Sequence, residues 1–239
     1  MNLVESAKHI MVGAGAAWVM WLLIGLSVFS IAIMLERGYT FWIRRDDVEA
    51  LRDTLARALR TGGFDQAREA MRRSRHPAAY VALRGMRRDA AQTSPEEAEE
   101  AMNAEVMAQR AVLESRLGFL GTLGNNAPFI GLFGTVIGIV QAFEELGKTA
   151  KGPAANAAQA ATAAAPQAVM SSIAEALVAT AVGIGVAIPA VFAFNFFLRA
   201  MKNSLAGAEV LSHELLAFLY SGRVATGASF PPGEPPHRV

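Results

Sequence analysis

Two apolar stretches of the chain carry a matched set of small residues, each with one hydroxyl. In GNNAPFIGLFGTVIGIVQAF, Gly131, Thr135, Gly138 and Ala142 recur at steps of four, three and four. In IAEALVATAVGIGVAIPAVFAFN, Ala176, Thr180, Gly183 and Ala187 recur at the same steps. On a helix each set forms one stripe. Small side chains let membrane helices approach closely. A hydroxyl in such a stripe either bonds its own backbone or relays a proton and orders water. Thr135 lies eight residues before Phe143, and Thr180 lies seven residues after Ile173. If the two helices are antiparallel, both hydroxyls sit roughly 10–12 Å below one face of a membrane, at about 1.5 Å per residue.

Glu175 is the acid nearest a membrane core, where an ionisable group is costly and points to function. Ser172-Ile-Ala-Glu175 also fits the capping box S-x-x-E, so Glu175 reads equally as a helix cap and as a pore entrance. Pro128 and Pro189 lie within the same two stretches; each frees a backbone carbonyl and bends its helix. Asn125, Asn126 and Asn195 either line a wet vestibule or bond between helices.

Other chemistries find little support. There is no cysteine, and the four histidines, His9, His76, His213 and His237, lack metal-ligand spacing. No Ser/His/Asp set is evident, and neither a cofactor nor an enzymatic activity is expected. Residues 142–149, AFEELGKT, match a loose phosphate-loop pattern, but they follow an apolar helix instead of a strand and carry two acids. Arginines are interleaved with Asp and Glu, which argues for solvated helix faces and against nucleic-acid binding.

The elements that hold these residues follow from the distribution of charge. The chain is 53% hydrophobic and 18% charged, and no charge occurs in 10–35, in 117–143 or from Ala176 to Leu198. Each run is long enough to cross a bilayer core as a helix of about 20 residues. The predicted class is therefore all-α, an integral membrane protein with three transmembrane helices at 10–35, 117–143 and 173–198. Arg37, Arg44, Arg45, Arg52, Arg57 and Arg60 follow the first run, whereas the connection between the second and third has only Lys148 and Lys151. This bias places 36–116 and 199–239 in the cytoplasm, and 1–9 and 144–172 in the periplasm. Tyr39 and Trp42 suit the inner interface belt.

Residues 36–116 read as helical and soluble. Gly62-Gly63 marks a break, a helix covers about Phe64–Arg75, and another covers Ala78–Ala91. Ser94-Pro95-Glu96-Glu97 starts a long helix that nothing in the sequence stops before the second span. The Ala-rich 144–172 reads as a low-complexity outer loop. Beyond the third span, Leu205, Leu211, Leu215, Phe218 and Leu219 predict an amphipathic helix, followed by a disordered Pro-rich tail.

The segments APFIGLFGTVIGIVQAF and IAEALVATAVGIGVAIPAVFAFN closely resemble the two signature helices of the ExbB/TolQ/MotA proton-channel family, nearest its ExbB and TolQ branch. The resemblance is specific over roughly 117–200. It implies a pentamer whose second and third spans line a central pore in the bacterial inner membrane. It implies an ExbD- or TolR-like single-span partner that supplies a titratable aspartate, and a TonB- or TolA-like transducer. It places the family's pore threonines on Thr135 and Thr180 and its third-span glutamate on Glu175. The implied work couples proton motive force to the cell envelope, as in TonB-dependent transport, TolQ-like envelope maintenance or gliding motility. A passive membrane scaffold, its stripes serving only to pack helices, is the reading of another class.

Overall fold

The computed structural model describes residues 17–86, 93–150 and 158–225, and of the side chains within 148–166 and of residue 168 nothing is said. The described elements are helices: α1 Ala17–Ile43, α2 Val48–Arg72, α3 Pro77–Gly85, α4 Pro95–Glu114, α5 Leu117–Ala150 and α6 Ala158–Ala225. They fall into two compact units. The first combines the described residues up to Gly38 with Arg116–Leu198; the second combines Tyr39–Ser115 with the described residues from Arg199 onward. Among the described residues, three helices are long and apolar enough to cross a membrane.

The first unit is built on α1, α5 and the first part of α6. The buried residues of α1 are Val19, Leu23, Ser30, Ile33 and Arg37, one face at helical spacing. Val19 and Leu23 pack with Leu123, Ala127 and Ile137 of α5 and Ala187 and Ala190 of α6. Edge-on ring contacts join Phe29 to Phe119 and Trp18 to Phe133, with centroids 4.8 and 6.2 Å apart. Both distances suit the T-shaped arrangement. At the end of this face Arg37 is only 5% exposed, so its charge needs a partner. Glu36 supplies it at 3.3 Å and also takes Arg116 at 2.8 Å.

The second unit has a soluble-protein core. Leu55, Leu59, Phe64, Met71, Val81, Met86, Met102, Leu211, Leu215 and Leu219 are buried together. Each helix start is capped by a side chain, and each cap satisfies an orphan backbone N–H. Asp47 accepts from Glu49 N at 3.0 Å, Ser94 from Glu97 N at 3.0 Å, and His76 Nδ1 from Ala78 N at 3.2 Å. The break expected at Gly62-Gly63 is a kink within α2, where Gly63 takes φ +63° and ψ −154°, a conformation costly to any residue with a Cβ.

Several boundaries differ from expectation. The helix starting at Pro95 does not run on into the second span. It ends at Glu114, capped by Ser115, and Arg116 turns the chain at φ +64°. No Gly or Pro announces this turn; the ion pair of Arg116 with Glu36 offsets the strain of a left-handed non-Gly residue. The helix expected over Ala78–Ala91 ends at Gly85, with 87–92 outside the described residues, and the one expected to reach Arg75 ends at Arg72.

The Ala-rich segment 144–172 is corrected from a loop to mostly helix: α5 continues to Ala150 and α6 begins at Ala158. Low hydropathy argued against a span there, but alanine has the highest helix propensity, and propensity is a separate quantity. The capping box at Ser172 falls with it. Ser172 and Glu175 lie well inside α6, where the backbone N–H groups already have partners in the helix. Residues 1–16, 151–157 and the Pro-rich tail lie outside the described residues.

Candidate functional site

The two small-residue stripes face each other. A Cβ added at Gly131 would lie 2.8 Å from Ala179 O and 3.0 Å from Thr180 Cα. One at Gly183 would lie 2.7 Å from Ala127 O and 3.1 Å from Gly131 Cα. One at Gly138 would lie 2.5 Å from Ala176 Cβ and 3.1 Å from Ser172 O. One at Gly134 would lie 2.9 Å from Ala179 Cβ. Position numbers rise along α5 as they fall along α6, so the helices are antiparallel and touch backbone to backbone. In lipid, where tails are as apolar as leucine, this close approach is what holds two helices together.

The register sets the threonines. Thr180 is level with Gly131, and Thr135 lies between the levels of Ala179 and Ala176. The hydroxyls are thus offset by about one helical turn, roughly 5 Å, and not placed at one depth as the span ends implied. Their bonding differs as well. Thr135 is half-buried and its Oγ1 donates to Leu132 O of its own helix at 2.6 Å. Thr180 Oγ1 is buried and has no hydrogen-bond partner among the described residues. An unpaired buried hydroxyl costs about 1–3 kcal/mol, so a partner from outside the chain has a free-energy gain waiting for it.

Glu175 is exposed on α6, one residue before buried Ala176. Pro128 lies inside α5 and Pro189 inside α6, and both helices run through them. Asn126 Nδ2 donates to Thr122 O at 2.7 Å and Asn195 Nδ2 to Val191 O at 3.0 Å, so these amides bond their own helices. Two polar groups escaped the sequence reading. Among the described residues, Glu144 is half-buried with Oε2 enclosed and unpartnered, and Ser30 is 1% exposed with Oγ in the same state. The seven-residue spacing of Leu23, Ser30 and Arg37 was the available signal for Ser30; Glu144 had none beyond its place at the end of an apolar run. Among the described residues no cluster of His, Cys, Asp or Glu is arranged to hold a metal.

The described residues form helices, three of them membrane-length and apolar and two in glycine contact around hydroxyls, which is the architecture of a helical membrane protein. Residues 73–209 match the model of the MotA/TolQ/ExbB proton channel family, and the chain belongs to that family. It is 38% identical over 122 residues to "Biopolymer transport protein ExbB" of Xanthomonas campestris pv. campestris, which spans 51% of this chain and 44% of the relative. It is 35% identical over 120 residues to "Tol-Pal system protein TolQ" of Pseudomonas aeruginosa, 50% of this chain and 47% of the relative. It is 32% identical over 204 residues to "Biopolymer transport protein ExbB" of Pseudomonas putida, 81% of this chain and 57% of the relative. The chain thus spans about half the length of the curated relatives it matches.

Proposed function

We propose that this protein is the proton-channel subunit of an inner-membrane motor, assembled in several copies, most simply a pentamer, around a pore lined by α5 and α6. The observation that carries the reading is Thr180: a buried hydroxyl without a partner among the described residues, on a helix with no charge from Ala176 to Leu198. Hydroxyls do not titrate near neutral pH. A proton path past Thr180 therefore needs a carboxylate from another chain, and the family likeness supplies one in an ExbD/TolR-like single-span partner. Thr180 meets that carboxylate; Thr135, already bonded to Leu132, has the lesser share. Glu175, exposed near the periplasmic end, organises water or a neighbouring copy. The arginine bias sets the C-terminus in the cytoplasm. A TonB/TolA-like transducer carries the work outward, in biopolymer transport or in a Tol-type envelope role.

Proton flux into liposomes holding this chain and a candidate ExbD/TolR-like single-span partner tests the reading. Flux should require the partner and fall at least tenfold in Thr180→Val, the loss of about 1.4 kcal/mol from one hydrogen bond. Unchanged flux in the variant would reduce Thr180 to a packing residue. Absence of flux with the partner present would leave the scaffold reading ahead.

A further inference from the structure

Where α4 gives way to α5, the backbone and the local sequence disagree. The segment from Leu113 to Leu120 reads LESRLGFL, with no proline. Its one glycine, Gly118, lies two residues past the turn, and the left-handed position falls on Arg116 at φ +64°. Among the described residues the other positive φ belongs to a glycine, Gly63. Arginine is one of the better helix formers, so local preference favours a helix running through. Ser115 alone is extended before it, at φ −52° and ψ 139°, and its N–H still bonds Ala111 O at 3.1 Å as in a helix. A backbone that opposes its own propensities is imposed by a contact from elsewhere, and such conflicts gather at functional positions.

That contact lies wholly in the first unit. Arg116 Nη1 is 2.8 Å from Glu36 Oε2, while Glu36 Oε1 is 3.3 Å from Arg37 Nη2. One carboxylate thus bridges two guanidinium groups. Arg37 is its chain neighbour and is buried, whereas Arg116 arrives from far along the chain and its side chain is 61% exposed. An ion pair this open contributes little and is weakened by salt. The cost of holding a non-glycine residue left-handed is of the same order. The turn is therefore held close to balance, with a continuous helix as the alternative.

We propose that the Glu36–Arg116 pair is a releasable latch on this turn. While it is closed, Arg116 is left-handed and α4 and α5 are separate helices. When another charge takes either partner, or salt screens the pair, residues 115 and 116 turn helical and the two helices join. The latch depends on neither the pore nor the proton path proposed above.

Joining has a local signature. The first N–H groups of a helix have no partner within it. In the joined helix the N–H groups of Leu117, Gly118, Phe119 and Leu120 would bond the carbonyls of Leu113, Glu114, Ser115 and Arg116. Release should therefore slow their exchange with solvent, whereas simple loosening of the turn would speed it.

Hydrogen exchange on the full chain in nanodiscs, read by mass spectrometry over 117–120, tests the latch. Glu36→Gln should slow exchange there by about threefold, the weight of one half-exposed ion pair. Arg116→Ala should do the same while leaving Glu36 to Arg37, so it serves if Glu36→Gln disturbs the buried Arg37. Arg116→Gly also deletes the pair but takes the left-handed conformation without strain. It should keep the turn and exchange as wild type does, alone and combined with Glu36→Gln. High salt should slow the wild type and not Arg116→Gly. Unchanged or faster exchange in both Glu36→Gln and Arg116→Ala would overturn the proposal. So would Arg116→Gly behaving as Arg116→Ala does, or a wild type indifferent to salt.

Discussion

The two units of this chain hold together by different physics, and each has chosen its residues accordingly. In the second unit large apolar side chains do most of the packing: Leu55, Met71, Met102, Leu211 and Leu215 are all but fully buried. Water is the competing solvent there, so burying a Leu or Met side chain stabilises by about 1.5–3 kcal/mol. In the first unit the competing solvent is lipid, which solvates leucine as well as protein does. The close contacts between backbones fall on Gly131, Gly138 and Gly183. The same substitution should therefore have opposite weight in the two units.

The largest effect is expected from Leu215→Ala. Leu215 is fully buried in the second unit beside Met102 and Gly85. Truncation removes apolar burial and leaves a cavity, a loss of roughly 2–5 kcal/mol. Limited proteolysis of the purified full chain against temperature should show α2–α4 opening well below the wild-type midpoint, with cleavage in α5 unchanged. Equal loss of protection in both units would mean that they do not behave as separate packing systems.

Next come the glycines, where the comparison is sharpest. Gly183→Ala drives a methyl against Ala127 O and the Gly131 backbone, neither of which can rotate away. Overpacking of this kind costs about 1–3 kcal/mol. Gly185, two residues on in the same helix, has nothing within 4 Å of its would-be Cβ. Gly185→Ala should be neutral or gain up to about 1 kcal/mol from helix propensity. In the second unit, Gly85→Ala meets Leu215 Cδ2 and Met102 Sδ, the ends of flexible side chains, and should cost less than Gly183→Ala. Resistance to denaturing detergent, followed by circular dichroism, ranks the three variants; Gly85→Ala at or above the cost of Gly183→Ala would break the comparison.

The chain's own residues show how much of this was legible beforehand. The three apolar runs, the Ser94 cap and the amphipathic end of α6 follow from charge and periodicity, which depend on one helix at a time. The facing of Gly131 and Gly183 was foreshadowed by their matched steps, but not the register: a one-turn offset between Thr135 and Thr180 depends on which grooves interlock, and span ends read from hydropathy are too coarse for that. The turn at Arg116 was invisible because its cause is a contact with Glu36, 80 residues away. Alanines in 158–172 were misread because hydropathy answered a question that belonged to helix propensity.

A smaller effect should follow pH, in the second unit alone. His76 caps α3 through Nδ1, which accepts only when the ring is neutral there. Burial pushes its pKa below the ordinary 6.5, with the Asp46 carboxylate opposing the shift in part. Asp46 also takes the hydroxyl of Ser74. With the folded value depressed, the unfolded chain binds the proton first. Stability is thus full above about pH 6.5 and declines as pH falls through 6.5 toward the folded value. His76→Asn keeps a capping oxygen that does not titrate, at a cost within the usual 0.5–2 kcal/mol of a cap. Unfolding midpoints of the second unit between pH 7.5 and 5.5 should slope in the wild type and flatten in His76→Asn. An identical slope in both would assign the pH dependence to other groups.

The smallest effect on stability should come from the residue with the largest proposed role. Thr180→Val keeps the shape of the side chain and deletes a hydroxyl that has no partner among the described residues. Removing an unsatisfied buried polar group is neutral or stabilising, within about 1 kcal/mol. In the second unit the capping groups Ser94 and His76 are bonded, so their loss destabilises. Resistance of the isolated subunit to denaturing detergent should be equal or higher in Thr180→Val than in wild type, while partner-dependent proton flux falls. The two readouts moving in opposite directions separate a hydroxyl held for a partner from one held for packing. A variant that loses stability and flux together would show that Thr180 supports the helix contact, and that the lipid-facing unit also uses polar groups as structural glue.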